Sequence, residues 1–506
     1  MIPCMVMQGI FYHGMYEEMT RGDIKTKYKI VNVPLYLVSS TRCENVSKLL
    51  KLDYKFFKGE GNLMKLKRNF LFLLAVLLLL VTVTGSAAPK TTKLVFWTHQ
   101  RHDMDFMKAR IDEFNKTNKD GIIIEYVIQS ENYQQNLDMS FASMQAPDIF
   151  NCQQNAIYYA QRNMALPLNS FIKPEMKKRF GNMLYHDVVN YYNGKVYSLP
   201  NSGGTYRLVY NKDLFKKANL TGPPTTMDQV VEYAKKITEA AKEEKAYGFA
   251  ANLRNPTSAL GRSARQVAWR SGLFYYDYKT GKFDFEPWKP VIMAFKKMVD
   301  DGSMFPGSES LDMDPLRSQF AAGKIGMYIS ANWEVGVLNN QFPAKCDWGA
   351  APLPTVNGKA LGKSDTDAAG RWLCISAQTK KAKLAWKFLE YLYRDEFLKE
   401  YHERGYGFTV VPSVADIAKS ATLKGAADFK LDPKLDGIIP ADPTWYNIQL
   451  EGRNFNDVLF AVIYGATSWD DAVKDLNKRY NEANERAIQK GDIKKIIIKK
   501  FDPSKL

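Results

Sequence analysis

The chain has 506 residues, of which 45% are hydrophobic and 25% charged, and its formal net charge is +16. This length accommodates two or three domains, and the composition is that of an ordinary globular protein. The mean hydropathy of −0.34 excludes a protein that crosses the membrane many times. The positive charge is spread along the chain without a basic stripe between aromatic residues, which disfavours a nucleic-acid-binding protein.

Residues 64–87 have the three parts of a secretory signal: a basic start, an apolar run and small residues at the exit. The apolar run, residues 70–83, is shorter than the roughly 20 residues of a membrane-spanning helix. We expect cleavage after Ala87. No cysteine comes directly after this position, so we expect a diffusible periplasmic protein rather than a lipoprotein.

A signal belongs at an N-terminus, yet residues 1–63 precede this one. We interpret these residues as the product of a start codon assigned too early, with Met64 as the initiator. The alternative is a real cytoplasmic tail, with residues 70–84 as a short anchor. Basic residues on the N-terminal side suit both interpretations.

The region after the signal alternates between strand and helix patterns. Strands are predicted at residues 94–98, 121–128 and 147–151, and amphipathic helices at residues 104–118 and 132–145. This order predicts a mostly parallel sheet covered by helices. Ligands bind beyond the carboxyl ends of the strands in such sheets. The polar residues at that edge are His99, Gln100, Asn151, Gln153 and Gln154.

The rest of the chain is richer in helix patterns, with short strands between them. Helices are predicted at residues 226–243, 288–300 and 454–489, with one long helix at 380–400. Strands are predicted at residues 323–330, 347–354 and 371–376. The prolines and threonines of residues 223–226 cap the first of these helices.

Several stretches resemble a known family. They are the FWT of residues 96–98, APDIF of 146–150, ALPLNSFI of 165–172, the YNKDLFKKA…PPTT run within 194–238, FAAGKIGMYISANWEV of 320–335 and AWKFLEYLYRDE of 385–396. In this order they resemble family 1 extracellular solute-binding proteins of ABC importers, with the maltose-binding type nearest in plan. The resemblance covers residues 90–480.

The resemblance implies an α/β, two-lobed periplasmic-binding-protein fold of type II, with a ligand cleft between lobes that close by a hinge. Lobe 1 is then residues 88–202 plus 360–412, and lobe 2 is residues 203–356 plus 413–506. The chain is expected to cross near Ser202–Gly204, 354–362 and 411–413. Such a protein, as a monomer, would capture a sugar without a cofactor and deliver it to the membrane permease.

A sugar presents flat C–H faces and a rim of hydroxyl groups, so its site needs aromatic rings and fixed polar groups. Trp333 follows a strand, at a turn where family members often carry a sugar-stacking Trp, and Asn332 beside it offers an amide. Trp372 is either a ring in the site or a core residue. Arg371 has a planar guanidinium that suits a hydroxyl or carboxylate, or forms an ion pair.

Three more aromatic residues are candidates. Trp445 and Tyr446 lie in the C-terminal segment that often contributes a ring to the cleft. Tyr206 follows the first crossing and faces the cleft or packs at the hinge. Together with these, the candidate ligand-binding residues are Trp333, Asn332, Arg371, Trp372, His99, Gln100, Gln153 and Gln154.

Other kinds of site find less support. His99 and His102 are three residues apart, as metal ligands can be, but no Cys/His cluster accompanies them, so no metal is expected. Asp365 and Asp367 are close enough in sequence to raise glycoside hydrolysis, yet such pairs usually mark a solvated turn. We therefore expect no enzyme, and keep a polyamine, iron or a phosphate ester as alternative ligands.

The cysteines show no metal-binding spacing. Cys152, Cys346 and Cys374 lie in the exported region. A single disulfide is possible among them, and buried free thiols are the favoured interpretation.

Overall fold

The computed structural model of the chain describes residues 91–506, apart from 130, 187–188, 367–371, 416, 420–421 and 447. The segments 1–63 and 64–87, with the predicted signal, lie outside the described residues. The described residues belong to one compact unit. Over the described part of the chain, no helix has the length and apolar character needed to span a bilayer.

The elements are numbered in chain order. The strands are β1 Thr92–Thr98, β2 Ile122–Ile128, β3 Ile149–Asn151, β4 Tyr191–Tyr192, β5 Lys195–Val196, β6 Ser202–Gly203, β7 Tyr206–Asn211, β8 Tyr247–Phe249, β9 Tyr276–Asp277, β10 Lys282–Phe283, β11 Ile325–Ala331, β12 Trp348–Ala351, β13 Ser364–Asp365, β14 Leu373–Ile375, β15 Phe408–Thr409 and β16 Asp436–Gly437. The α-helices are α1 Met104–Thr117, α2 Tyr133–Ala142, α3 Ala156–Gln161, α4 Pro174–Phe180, α5 Lys212–Lys217, α6 Met227–Ala240, α7 Pro256–Arg262, α8 Ala264–Arg270, α9 Lys289–Asp300, α10 Met313–Ala321, α11 Glu334–Gly336, α12 Ala382–Leu392, α13 Asp395–Glu403, α14 Pro412–Ala415, α15 Phe455–Ile463 and α16 Trp469–Gln489.

The first sheet has the strand order β14–β3–β1–β2. β1 runs parallel to both β2 and β3, whereas β14 runs antiparallel to β3. Leu94 and Phe96 are buried at the alternate spacing that places them on one face of the sheet. Helix α1 joins the same apolar cluster through the residues that the sequence predicts: Phe106, Met107, Ile111 and Phe114. The mostly parallel sheet predicted for this region is confirmed.

The second sheet has the strand order β12–β7–β11–β8. β7 runs antiparallel to β11 and β12, and β11 runs parallel to β8. Every residue of β11 is buried, because apolar clusters lie on both of its faces. Met327 and Ile329 belong to one cluster, and Ile325 and Tyr328 to the other. Each sheet therefore has its own core, and the chain has two lobes.

Short paired segments join the lobes. β6 pairs antiparallel with β15, with Gly203 opposite Phe408. The Gly204 N–H donates to the Thr366 carbonyl oxygen at 2.7 Å, and the Thr366 N–H donates to the carbonyl of Gly437 at 2.9 Å. Four separate stretches of chain are thus hydrogen-bonded side by side where a hinge is expected. The lobe borders given above stay a prediction.

The long helix predicted at residues 380–400 is wrong in one respect: it is two helices, α12 and α13. Arg394 has an extended backbone, with φ −65° and ψ 149°, and begins the second helix. The preceding Tyr393 is buried, and its hydroxyl donates to the Leu199 carbonyl oxygen at 2.6 Å. This tertiary anchor lies at the end of the first helix and is invisible in the local sequence. Residues 454–489 are helical as predicted, with a turn at Gly465 (φ 73°).

Candidate binding cleft between the lobes

The rim of the first lobe is formed where β1 and β3 end. Gln100 is half-buried there, and its side-chain oxygen accepts a hydrogen bond from the indole N–H of Trp372 at 3.2 Å. The Gln100 backbone N–H donates to the Thr98 hydroxyl at 3.0 Å. His99 is also half-buried, with its ring 5.0 Å from that of Tyr133. The predicted edge of the sheet thus carries an amide whose position is fixed from two sides.

Gln153 and Gln154 are exposed at the same rim. The hydroxyl of Tyr159 accepts both of their backbone N–H groups, at 3.0 and 2.9 Å. The same hydroxyl donates to the side-chain oxygen of Gln134 at 2.9 Å. Because Tyr159 is buried, this one side chain fixes the backbone of the loop, while both glutamine residues stay exposed at the rim.

Trp372 lies mainly in the core of the first lobe. Only 4% of its surface is exposed, and its ring packs near Tyr393, Phe397 and Tyr401 at centroid distances of 5.5 to 6.2 Å. Its indole N–H is the group that faces Gln100. Trp372 can therefore position Gln100 through its N–H, but its ring has no exposed face on which a ligand could stack. Arg371 and Asp367 lie outside the described residues.

The opposing wall belongs to the second lobe. Trp333 follows β11 directly and is half-buried, and its ring meets that of Tyr206 edge to face, with centroids 6.0 Å apart. Asn332 is buried, and its amide oxygen accepts the Thr205 N–H at 3.2 Å. The Asn332 N–H donates back to the Thr205 carbonyl oxygen at 3.2 Å. These bonds tie the end of β11 to the start of β7 and so set where the two rings meet.

A buried carboxylate lies directly after Trp333. Glu334 is completely buried and accepts hydrogen bonds from the guanidinium of Arg317 at 2.7 Å, from the Ser330 hydroxyl at 2.8 Å and from the Tyr328 hydroxyl at 3.0 Å. Burial, and then the negative charge of Glu334, raise the pKa of Tyr328 well above its ordinary value. The turn that carries Trp333 is therefore held rigidly by a buried network of an ion pair and hydrogen bonds.

Arg262 lies close to this wall. Burial, and then the neighbouring cation Arg317, hold the pKa of Arg262 below its ordinary value, while Tyr206 and Glu334 act in the opposite direction. Arg262 donates to the Ser258 carbonyl oxygen at 3.2 Å and to the Ser258 hydroxyl, which are uncharged partners. Sequence reasoning missed this residue. It lies at the end of α7, and no local pattern relates α7 to β11.

The base of the hinge contains a second buried ion pair. Arg207 and Asp436 form two parallel hydrogen bonds, both of 2.7 Å, and almost no surface of either side chain is exposed. Arg207 also donates to the carbonyl oxygens of Asp428 and Lys430, at 3.2 and 3.0 Å. The Ser364 hydroxyl donates to Asp436 at 3.0 Å. This pair therefore joins β7 to two of the other crossing stretches, those of Ser364 and Asp436.

The lobes also touch beyond the hinge. Arg101, which follows the rim residue Gln100, forms a salt bridge with Asp314 of α10. The side chain of Gln341 donates to the carbonyl oxygen of Arg101. This contact, which we call the latch, joins the rim of the first lobe to the helices behind Trp333. Sequence reasoning missed this contact. Arg101 could have been selected in the same way as Gln100, because it also follows the end of β1.

Trp445 and Tyr446 form another contact between the lobes. Both are half-buried and pack against the apolar pair Ile157 and Val189 of the first lobe. Just before them, the carboxylate of Asp442 accepts the Tyr275 hydroxyl of the second lobe at 2.8 Å. The segment thus bridges the lobes instead of belonging to the second alone.

No cluster of three or more potential metal ligands occurs within the described ranges. The His102 ring nitrogen lies 3.1 Å from the Tyr401 hydroxyl and 3.2 Å from the Tyr406 carbonyl oxygen. The Asp365 backbone N–H donates to the side chain of Gln266 at 2.9 Å. Both candidates from the sequence thus have structural partners.

Two α/β lobes, a hinge of paired crossing segments and a wall of aromatic and polar groups between them define a two-lobed solute-binding protein. The sequence profile of the bacterial extracellular solute-binding proteins matches residues 99–397, and the chain belongs to this family. The resemblance noted in the sequence is confirmed.

Relatives of this chain include a maltotriose-binding protein of Pyrococcus abyssi, 25% identical over 61% of this chain and 64% of the relative. A maltodextrin-binding protein of Bacillus subtilis is 30% identical over 46% of this chain and 54% of that protein. A putative binding protein of Brucella abortus is 26% identical over 48% of this chain and 56% of the relative. The chain thus spans less than two thirds of the length of each.

Solved structures show the same fold. A solute-binding protein of Thermotoga lettingae bound with α-D-tagatose superposes with a TM-score of 0.65 at 19% identity, over 78% of this chain and 100% of that one. A maltose/maltodextrin-binding domain of Bdellovibrio bacteriovorus bound to maltotriose has a TM-score of 0.61 at 18% identity, over 79% and 100%. The two-lobed fold predicted from the sequence is confirmed.

Proposed function

We propose that the chain is the substrate-binding subunit of an ABC importer. It captures a mono- or oligosaccharide between the lobes, closes on it and delivers it to the membrane permease. It acts outside the cytoplasm as a monomer, needs no cofactor and catalyses no reaction. The observation that carries the proposal is the half-buried ring of Trp333, set edge to face against Tyr206 beside the hinge.

The surroundings of this ring suit a sugar. The indole face offers an apolar surface for the C–H side of a pyranose, and Arg262 supplies N–H donors for its hydroxyl groups. From the first lobe, we assign contacts to His99, Gln100, Gln153 and Gln154. Trp372 acts by holding Gln100 in place.

The remaining candidates are assigned by position. Arg371 directly precedes Trp372 in the sequence, and we assign it a ligand contact on that ground alone. Trp445 and Tyr446 line the side where the bridging segment meets the first lobe. Asn332 orients Trp333 through its bonds to Thr205. Relatives that bind maltotriose and maltodextrins by name support a sugar as the ligand.

Arg262 also favours one alternative ligand class over the others. A cation with uncharged partners suits a phosphate ester and repels a polyamine. A Brucella melitensis relative, 23% identical over 64% of this chain, is named for binding sn-glycerol-3-phosphate. A phosphate ester is therefore the second candidate.

The test is thermal unfolding of the protein against mono- and oligosaccharides, with glycerol phosphate, polyamines and iron chelates as controls. A ligand at 100 times its Kd adds about 2.7 kcal/mol to the free energy of unfolding, and the midpoint rises accordingly. We expect a sugar to raise it. If only glycerol phosphate raises the thermal midpoint, the ligand is a phosphate ester and not a sugar.

Two variants of Trp333 sharpen this test. Trp333→Ala should abolish the rise, whereas Trp333→Phe keeps an aromatic face and should retain part of it. Unchanged affinity in the Ala variant removes Trp333 from the site. Turnover of a glycan that is lost in Asp365→Asn would overturn the assignment as a binding protein.

A further inference from the structure

Two cysteine side chains meet inside the first lobe. Cys152 and Cys374 are buried free thiols in the structure, as the sequence favours, and their Sγ atoms are 2.7 Å apart. Cys374 lies in β14, opposite Phe150 of β3, and Cys152 follows β3 directly. The two cysteines are therefore diagonal neighbours across an antiparallel strand pair, on the same face of the sheet.

We propose that Cys152 and Cys374 form a disulfide bond in the protein after export. A disulfide has an S–S distance of about 2.05 Å, which small side-chain rotations reach from the observed separation. Each thiol loses a proton, and the two electrons pass to the disulfide of an oxidising partner, which becomes a dithiol. Glutathione disulfide or a thiol–disulfide oxidoreductase supplies that oxidant, and the proposed export exposes the chain to it.

The third cysteine of the described residues is no competitor for this pairing. Cys346 lies in a core cluster of the second lobe, where its thiol donates to the Phe320 carbonyl oxygen at 3.6 Å. Cys152 and Cys374 belong to one cluster of the first lobe, with Tyr133 and Tyr159 beside them. The fold thus selects one pair and leaves Cys346 as a natural control.

Burial sets when the bond forms. Desolvation, and then contact with Cys152, raise the pKa of the Cys374 thiol well above its ordinary value. The thiolate is the nucleophile in disulfide exchange, so the packed thiol reacts slowly. Oxidation therefore happens before the first lobe has finished folding. Once the lobe is folded, the buried bond is shielded from reductants.

The bond stabilises the rim of the candidate cleft. The Trp372 carbonyl oxygen accepts the Cys152 N–H at 2.8 Å and the Asn151 side-chain N–H at 2.8 Å. A covalent link two residues further along fixes β14 beside β3, and with it the loop of Gln153 and Gln154. The proposed role of the disulfide is to hold this edge rigid while the lobes move.

The test uses the full-length protein refolded in a mixture of reduced and oxidised glutathione. It is denatured, alkylated without reductant and digested with trypsin. We expect residues 372–380 to appear linked to the peptide that contains Cys152, and to separate on reduction. Recovery of both peptides in alkylated form would overturn the proposal, whatever ligand the protein binds.

Variants provide the functional arm. Refolding with reductant should lower the thermal midpoint of the wild type and of Cys346→Ser by several degrees. The double variant Cys152→Ser/Cys374→Ser should be insensitive to reductant. Equal responses in all three proteins would refute the bond even if the double variant is less stable throughout.

Discussion

At the scale of single residues, Glu334 illustrates how a buried carboxylate fixes the position of a neighbouring, half-buried side chain, that of Trp333. Its carboxylate is bonded to Arg317, Tyr328 and Ser330 and immediately follows Trp333. A buried charge that loses its partner destabilises a protein strongly, because the remaining ion is left desolvated. The position of the Trp333 ring therefore depends on a fully buried neighbour.

We predict that Glu334→Gln lowers the free energy of unfolding by about 3 kcal/mol, since Arg317 keeps its charge inside the lobe. The measurement is chemical denaturation followed by fluorescence. Asp300→Asn is the matched control: Asp300 pairs with Lys296 at 2.8 Å on an exposed helix face. Its loss should be at most about 1 kcal/mol. Similar losses in the two variants would contradict the prediction.

His402 is a residue whose titration should be visible in the stability. Its Nδ1 accepts the N–H of Thr409, in the hinge strand β15, at 3.3 Å. Burial holds the pKa of His402 below its ordinary value, against the opposing charge of Glu403. The folded protein thus keeps this imidazole neutral where the unfolded chain already binds a proton.

The unfolded chain gains that proton near the ordinary histidine pKa of about 6.5. The free energy of unfolding should therefore fall as the pH drops from neutral through this value, until the folded state is protonated too. His402→Gln should remove this part of the acid-side loss. Denaturation midpoints at a series of pH values between neutrality and pH 5 measure it. Parallel curves for wild type and variant would refute it.

At the scale of elements, helix α6 shows what a local sequence determines. Thr226 accepts the Gln229 N–H at 3.1 Å, and the Gln229 side chain accepts the Thr226 N–H at 3.3 Å. This capping box is readable from four residues of sequence. The break between α12 and α13 is not readable, because it depends on the anchor of Tyr393 at Leu199, far away in the chain.

We predict that Thr226→Ala costs about 1 kcal/mol of stability through loss of the cap. Thr117→Ala is the control, because the exposed hydroxyl of Thr117 only donates to the Glu113 carbonyl oxygen within α1. Its effect should be within about 0.5 kcal/mol. Urea denaturation compares the two. A larger loss for Thr117→Ala would contradict the capping argument.

The same division applies to the site. The positions of Gln100 and Trp333 directly after strands were predictable, because the topology of α/β sheets places such residues at one edge of the sheet. Their contact with a ligand stays a prediction. Arg262 and the latch were not predictable, since only tertiary packing brings α7 and α10 to that edge. Trp372 was ambiguous, because a strand start gives no sign of which way an aromatic ring packs.

At the scale of the whole molecule, the latch between Arg101 and Asp314 links the lobes at a distance from the hinge. Both side chains are about one third exposed, so water and salt weaken their attraction. Such a pair contributes at most about 1 kcal/mol. We therefore expect it to favour lobe closure only weakly.

We predict that Arg101→Ala opens the ligand-free protein, with a larger radius of gyration in X-ray scattering. Ligand affinity should fall at most about fivefold, because closure now costs more. Arg254→Ala is the matched control, since the pair Arg254–Asp312 lies within the second lobe. If both variants scatter like the wild type, the latch has no part in closure.

The strand order of the first sheet has a consequence for the export proposed above. β14 lies beside β3, although its Cys374 is 222 positions further along the chain than Cys152. The first lobe cannot complete its sheet until nearly three quarters of the polypeptide has been synthesised. Contacts so distant in sequence form slowly. If the chain is exported as we propose, it can therefore pass a translocation channel unfolded and complete the first lobe only on the far side.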